Sequence, residues 1–156
     1  ILTNASLFYL PEVRRQASGA DAIECKLDAP TEALLTKINR PAPGITLERI
    51  VEGIALLRGE FAGVLRLQIM LLPANIGKIE AWVPLIRRIV PDEVHLNTPR
   101  RPYPLRWYLA GRGDHESHLC PCLKRRLKTI TREEAVRAET LLREQTGVKL
   151  ISVYRD

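Results

Sequence analysis

The chain has 156 residues, of which 46% are hydrophobic, which is one domain's worth of material with ample apolar content for a packed core. Eleven prolines and nine glycines are spread rather than clustered, which excludes a linker or low-complexity tract. No apolar stretch approaches the roughly 20 residues needed to span a bilayer, and no signal-peptide pattern opens the sequence. Three cysteines beside a full core argue against a disulfide framework, so the expected location is cytoplasmic.

The net charge of +6 is concentrated. Residues 99–128 hold eight basic residues against Asp114 and Glu116, which leaves the rest of the chain neutral. Such a segment, with Tyr103, Trp107 and Tyr108 interleaved, suits RNA phosphates and bases. The reading preferred is a solvated, proline-stiffened loop, because charge runs usually serve that role.

Taken in chain order, the pattern alternates strand and helix. A strand at Ile1–Thr3 begins the chain, which reads as one cut from something longer. A helix is expected over Leu7–Ala17, then a strand over Ala22–Leu27 and a short helix near Glu32–Ile38. Arg40-Pro41-Ala42-Pro43-Gly44 forbids helix continuation. Thr46 caps a helix to Arg58 with Leu47, Ile50, Val51, Ile54 and Leu57 at helical spacing. Val64–Leu72 reads as a strand buried on both faces. Asn75 is the expected cap of one amphipathic helix, Ile76–Val90, with Ile79, Val83, Ile86 and Ile89 inward. A strand follows at Glu93–Asn97. Beyond the basic segment, Thr131-Arg132-Glu133-Glu134 is a capping box for a helix ending before Gly147. Lys149–Val153 is the closing strand.

This order predicts an α/β fold with a largely parallel sheet and right-handed crossovers. The four leading strands end in polar residues, where parallel sheets present ligand sites. The Asn97-Thr98-Pro99-Arg100-Arg101-Pro102 exit is the most suggestive of these ends. His115, His118, Cys120 and Cys122 lie close together, but the span is too short to close one tetrahedral site readily, and no metal site is assigned. Cys25 reads as a small buried hydrophobe, and Trp82 as core packing.

Several segments, taken together, resemble radical S-adenosylmethionine (SAM) enzymes. Leu2-Thr3-Asn4-Ala5-Ser6 resembles their "TNG" strand end and Lys26-Leu27-Asp28-Ala29 their "SLDA" strand end. Asn39-Arg40-Pro41 and Gly44–Glu48 resemble the arginine-bearing loop and the helix after it. Gln68-Ile69-Met70 and Leu96–Pro102 resemble the next two strand ends. The subgroup most similar includes the wyosine tRNA-base synthases and related iron–sulfur oxidoreductases. The resemblance implies the C-terminal part of a partial (β/α)6-type barrel over residues 1–113, with 114–156 adding the basic loop and a closing helix and strand. It implies SAM as cofactor, with Asn4, Lys26, Asp28, Arg40, Gln68 and Asn97 as cofactor-binding candidates. It also implies a [4Fe-4S] cluster held on a CxxxCxxC motif that this sequence does not contain, an upstream half of the same barrel as partner, and reductive cleavage of SAM to a 5′-deoxyadenosyl radical. The chain alone is then expected to be inactive, and a tRNA partner is not favoured. Ala5 and Lys26 depart from the family's glycine and serine. A cofactor-free structural remnant or a basic nucleic-acid-binding module are the alternatives.

Overall fold

A computed structural model describes residues 1–99, 103–104 and 124–154, with Tyr103–Pro104 and Lys124–Arg125 described by backbone alone. The main sheet has five strands, all parallel: β1 (Leu2–Thr3), β2 (Ala22–Lys26), β3 (Val64–Met70), β4 (Glu93–Asn97) and a last strand, Lys149–Ser152. The helices between them are α1 (Pro11–Ala17), α2 (Glu32–Ile38), α3 (Leu47–Glu60) and α4 (Trp82–Ile89). The short strands β5 (Tyr103–Pro104) and β6 (Lys124–Arg125) pair antiparallel, apart from the main sheet. Then α5 (Arg132–Thr146) leads to the last strand, β7, beside β4. The result is an α/β fold with an unclosed parallel sheet, as expected for part of a barrel.

Elements follow local chemistry where a cap or proline dictates them. Thr31, Thr46 and Thr131 each accept a backbone N–H of the following helix, and Glu134 completes the capping box. Gly147 ends α5 in the left-handed region at φ 68°. The first helix starts later than Leu7, because Leu10 precedes a proline and is extended, and Pro11 takes the first helical position. The segment 76–90 is not one helix. A 3-10 turn over Ile76–Ala81, irregular at Lys78, precedes α4. Pro84 fits only the first turn of a helix, where its missing N–H costs nothing.

The sheet has one apolar face. Ile23, Cys25, Leu65, Leu67, Ile69, Val94 and Leu96 are fully buried and belong to the same core as Val51, Ile54, Leu57, Trp82 and Ile89 of the helices. The expectation that Val64–Leu72 is buried on both faces is wrong: β3 alternates, with Arg66 and Gln68 on the open side. That side is polar across the sheet, with Glu24, Arg66, Glu93 and Lys149 in one register row. Lys26, Gln68 and His95 form the row above. Two-sided burial follows only where both faces are covered, and here the helices cover one.

Close packing fixes the turn after β1. Gly53 of α3 lies against the backbone of Phe8 and Tyr9, where an added Cβ would sit 2.7 Å from Phe8 C and Tyr9 N. Arg14, buried on α1, ties this turn to α3. It forks onto Glu60 at 2.9–3.1 Å and donates to the Phe8 carbonyl at 2.7 Å.

Val90 ends α4 left-handed at φ 53°, its N–H on the Ile86 carbonyl, with its side chain 64% exposed. A β-branched residue is strained there and has little packing to compensate. Val90→Gly is expected to raise stability by about 1 kcal/mol, read as a higher urea midpoint at an unchanged slope.

Candidate functional site at the sheet rim

The site lies at the carboxyl end of β1 and β2, under the α2–α3 loop. In β1, Thr3 Oγ1 accepts the Ala5 N–H at 3.0 Å, and Asn4 Oδ1 accepts the Ser6 N–H at 3.1 Å. These local bonds shape a turn in which Ala5, 1% exposed, holds φ 57°. Alanine stands here in a left-handed conformation that glycine would hold more easily. With its oxygen engaged, Asn4 keeps its amide N–H groups without a partner among the described residues.

Lys26 ends β2, and Asp28, two residues on, approaches it to 3.5 Å. Asp28 is 7% exposed, and its Oδ1 accepts the Met70 N–H at 2.9 Å. One carboxylate oxygen therefore joins the ends of β2 and β3, and the other faces Lys26. The buried strand end needs an acceptor for the Met70 N–H, and Asp28 supplies it.

Arg40 follows α2 at φ 48°, donating its N–H to the Leu35 carbonyl at 3.1 Å, with Pro41 behind it. The loop it begins is pinned at its far end. Glu32 Oε2 accepts the Leu47 N–H at 2.7 Å, and Arg49 donates to the Gly44 carbonyl at 2.8 Å while stacking over Tyr9 at 4.2 Å. The Arg40 guanidinium has no partner among the described residues.

Together these groups line a cleft of about 230 Å³ containing Asn4, Ser6, Lys26, Asp28, Asn39 and Arg40 over an apolar floor that includes Leu35 and Ile50. Its free polar groups are mostly donors, and it holds two cations and one already engaged carboxylate. Such a cleft suits a ligand with an anionic end and an apolar body.

Gln68 and Asn97 are not in this cleft. Gln68 lies on the open face and donates to Glu24 Oε1 at 3.0 Å. Asn97 ends β4, paired in register with Met70. The residue that organises the rim, Asn75, is not the helix cap expected. It is fully buried, donates to the Asp28 and Met70 carbonyls at 2.9 and 2.8 Å, and accepts the Leu72 N–H at 2.8 Å. An asparagine just after an apolar strand reads equally as a cap, so the sequence held no signal separating the two. Trp82 donates its indole N–H to the Leu27 carbonyl at 3.1 Å, tying the same strand end to α4.

Cys25 is fully buried between the strands, and burial, reinforced by the Glu24 carboxylate, pushes its thiol up to about 12. A thiol so held does not fit as a thiolate ligand of an iron–sulfur cluster. Cys120, Cys122, His115, His118, Arg100, Arg101 and Trp107 lie outside the described residues. Among the described residues no group of three or more His, Cys, Asp or Glu side chains is arranged to hold a metal ion. No described helix is long and apolar enough to cross a membrane.

The class of fold this geometry belongs to is matched by a solved radical SAM methyltransferase from Sphaerobacter thermophilus. It aligns with 96% of this chain and 38% of its own, at a TM-score of 0.59 and 19% identity, a likeness of fold. No family model matches the sequence. Among curated proteins, a UPF0026 protein from Synechocystis is 44% identical over 116 residues, and one from Methanocaldococcus jannaschii is 30% identical over 105 residues. These matches take in 74% and 65% of this chain but 44% and 33% of the relatives, so the chain spans less than half the length of either. A GTPase Obg from Brachyspira hyodysenteriae is 32% identical over 104 residues, 15% of its length. The 156 residues contain no phosphate-binding loop of the form GxxxxGKS or GxxxxGKT.

Proposed function

We propose that this chain is part of a radical SAM enzyme, in the subgroup of the wyosine tRNA-base synthases and related iron–sulfur oxidoreductases, and that the rim cleft takes the SAM molecule. The observation that carries the reading is the convergence of Asn4, Lys26 and Arg40 on one donor-rich cleft at the carboxyl edge of a parallel sheet. An upstream half of the barrel, beyond β1, completes the site in this reading and supplies the cluster ligands. The greater length of the UPF0026 relatives and the fold of the methyltransferase support it.

SAM bound there supplies a one-electron route to a reactive carbon centre when a reduced cluster adjoins it. This chain's residues bind and orient. Arg40 offers a planar fork to the methionine carboxylate, and Lys26, steadied by Asp28, adds a second cation at the same end. Asn4 contributes an amide donor, and the apolar floor takes the nonpolar part of the ligand. Asp28 and Asn75 fix the strand ends against which these groups are placed.

Calorimetric titration of the full-length parent protein, its cluster reconstituted anaerobically, with SAM tests the reading. A saturable isotherm is expected, weakened by about 1–3 kcal/mol in Arg40→Lys, because an ammonium cannot reproduce a two-pronged carboxylate contact. An unchanged affinity in that variant removes Arg40 from the site.

A further inference from the structure

On the open face of the sheet, away from the rim cleft, one imidazole sits between two carboxylates. His95 Nδ1 lies 3.0 Å from Glu24 Oε1 of β2, and Nε2 lies 3.3 Å from Glu93 Oε2 of its own strand, β4. Since β3 lies between β2 and β4, the ring spans a strand to reach Glu24. The side chains of His95, Glu24 and Glu93 are 24%, 22% and 14% exposed, so water screens these contacts only in part.

Counting protons limits what the arrangement can be. A carboxylate only accepts, and a neutral imidazole carries one N–H and one lone pair. Only the imidazolium donates to both carboxylates. Glu93 cannot take the proton at ordinary pH, because Lys149 and then Arg66 hold its carboxyl down at about 2. The charged and polar neighbours in the register are Lys26 and Gln68 in the ring's own row, with Ile151 of β7 on its other side. Glu24, Arg66, Glu93 and Lys149 make up the row below. Lys26 pairs with Asp28, whereas Arg66 and Lys149 pair with Glu93. The two carboxylates are therefore unequal: Glu93 has two cations of its own, and Glu24 has the Gln68 amide at 3.0 Å.

We infer that His95 is a proton-operated clamp: doubly protonated it joins β2 to β4 across β3, and on losing one proton it keeps Nδ1–H on Glu24 and releases Glu93. The shorter contact is the one retained, and Glu93 keeps Lys149 and Arg66 after release. The carboxylate at Nδ1 fixes which nitrogen holds the remaining proton. The clamp is closed on the acid side of the ring's titration and half open on the alkaline side. It goes beyond the SAM reading and fails separately from it, because it rests on residues outside the rim cleft.

The experiment is an NMR pH series on the full-length parent protein carrying 15N in its histidine rings, with His95→Gln identifying the signals. On the acid side, both His95 ring N–H groups are expected as slowly exchanging signals, since each is held in a hydrogen bond. On the alkaline side one signal should remain, at Nδ1. Glu24→Ala removes the acceptor at Nδ1, so its neutral ring should carry the proton on Nε2 instead. Fewer than two slowly exchanging ring N–H groups on the acid side, or a neutral ring protonated on Nε2 in the unsubstituted protein, would overturn the clamp. So would an unchanged neutral tautomer in Glu24→Ala. Should that variant fail to fold, the two readings on the unsubstituted protein decide.

Discussion

Asn75→Ala is expected to cost about 3–5 kcal/mol, because it removes a fully buried side chain that partners two carbonyls and one N–H. The three orphaned groups are the Asp28 and Met70 carbonyls and the Leu72 N–H. Asn75→Asp keeps the acceptor for Leu72 but turns a carboxylate toward two carbonyl oxygens, so it should rescue little at neutral pH. Equilibrium urea denaturation of both variants measures this. A loss below about 1 kcal/mol, the value of an ordinary hydrogen bond, would show that the strand ends are held by other means.

Acid should weaken the fold through Glu93. Lys149, then Arg66 and His95, hold its carboxyl down at about 2 against an ordinary 4.5. A depressed carboxyl stabilises the native state above its unfolded value and loses that contribution as protons bind the folded form. The loss therefore runs from about pH 4.5 down to about 2. Its full size is about 2 kcal/mol once solvent screening is allowed for. Glu93→Gln should lower stability at pH 7 and flatten the acid limb between those values, as thermal melts across pH would record. An acid limb identical in slope to that of the unsubstituted chain would count against the contacts of Glu93 with Lys149 and Arg66 as its source.

Much of the fold was legible because caps, prolines and glycines act locally. Thr46, the capping box at Thr131 and the left-handed Gly147 all occupy the roles their types suggest. The parallel order followed from alternating strands and helices. The misreadings share a physical origin in tertiary context. The Val64–Leu72 run contains Arg66 and Gln68, and apolar content alone could not tell one buried face from two. Asn75 has the same local surroundings as a cap, and only the folded sheet brings the Asp28 and Met70 carbonyls to it.

At the rim, Asn4, Lys26, Asp28 and Arg40 do converge, since strand ends of a parallel sheet face one way. Gln68 sits below the strand end on the open face, so the period of two placed it beside Glu24 instead. Glu24 and His95 carry no signal in the sequence, where each reads as a polar residue alternating with apolar ones. Their relation depends on register across three strands, which no single segment encodes.

Ala5, between the lining residues Asn4 and Ser6, and Arg40, itself in the lining of the cleft, both hold left-handed backbone without being glycine. Such conformers persist only where the surroundings over-determine them. For Ala5 those surroundings are burial and the Thr3 hydroxyl; for Arg40 they are the Leu35 carbonyl and the following proline. The mouth is thus set before any ligand arrives. A molecule entering it meets backbone that has already given up its conformational freedom, so association there carries little ordering entropy of the protein's own. Affinity at such a mouth is governed by the fit of the incoming molecule, and a ligand of the wrong shape gains nothing from waiting for the walls to adjust.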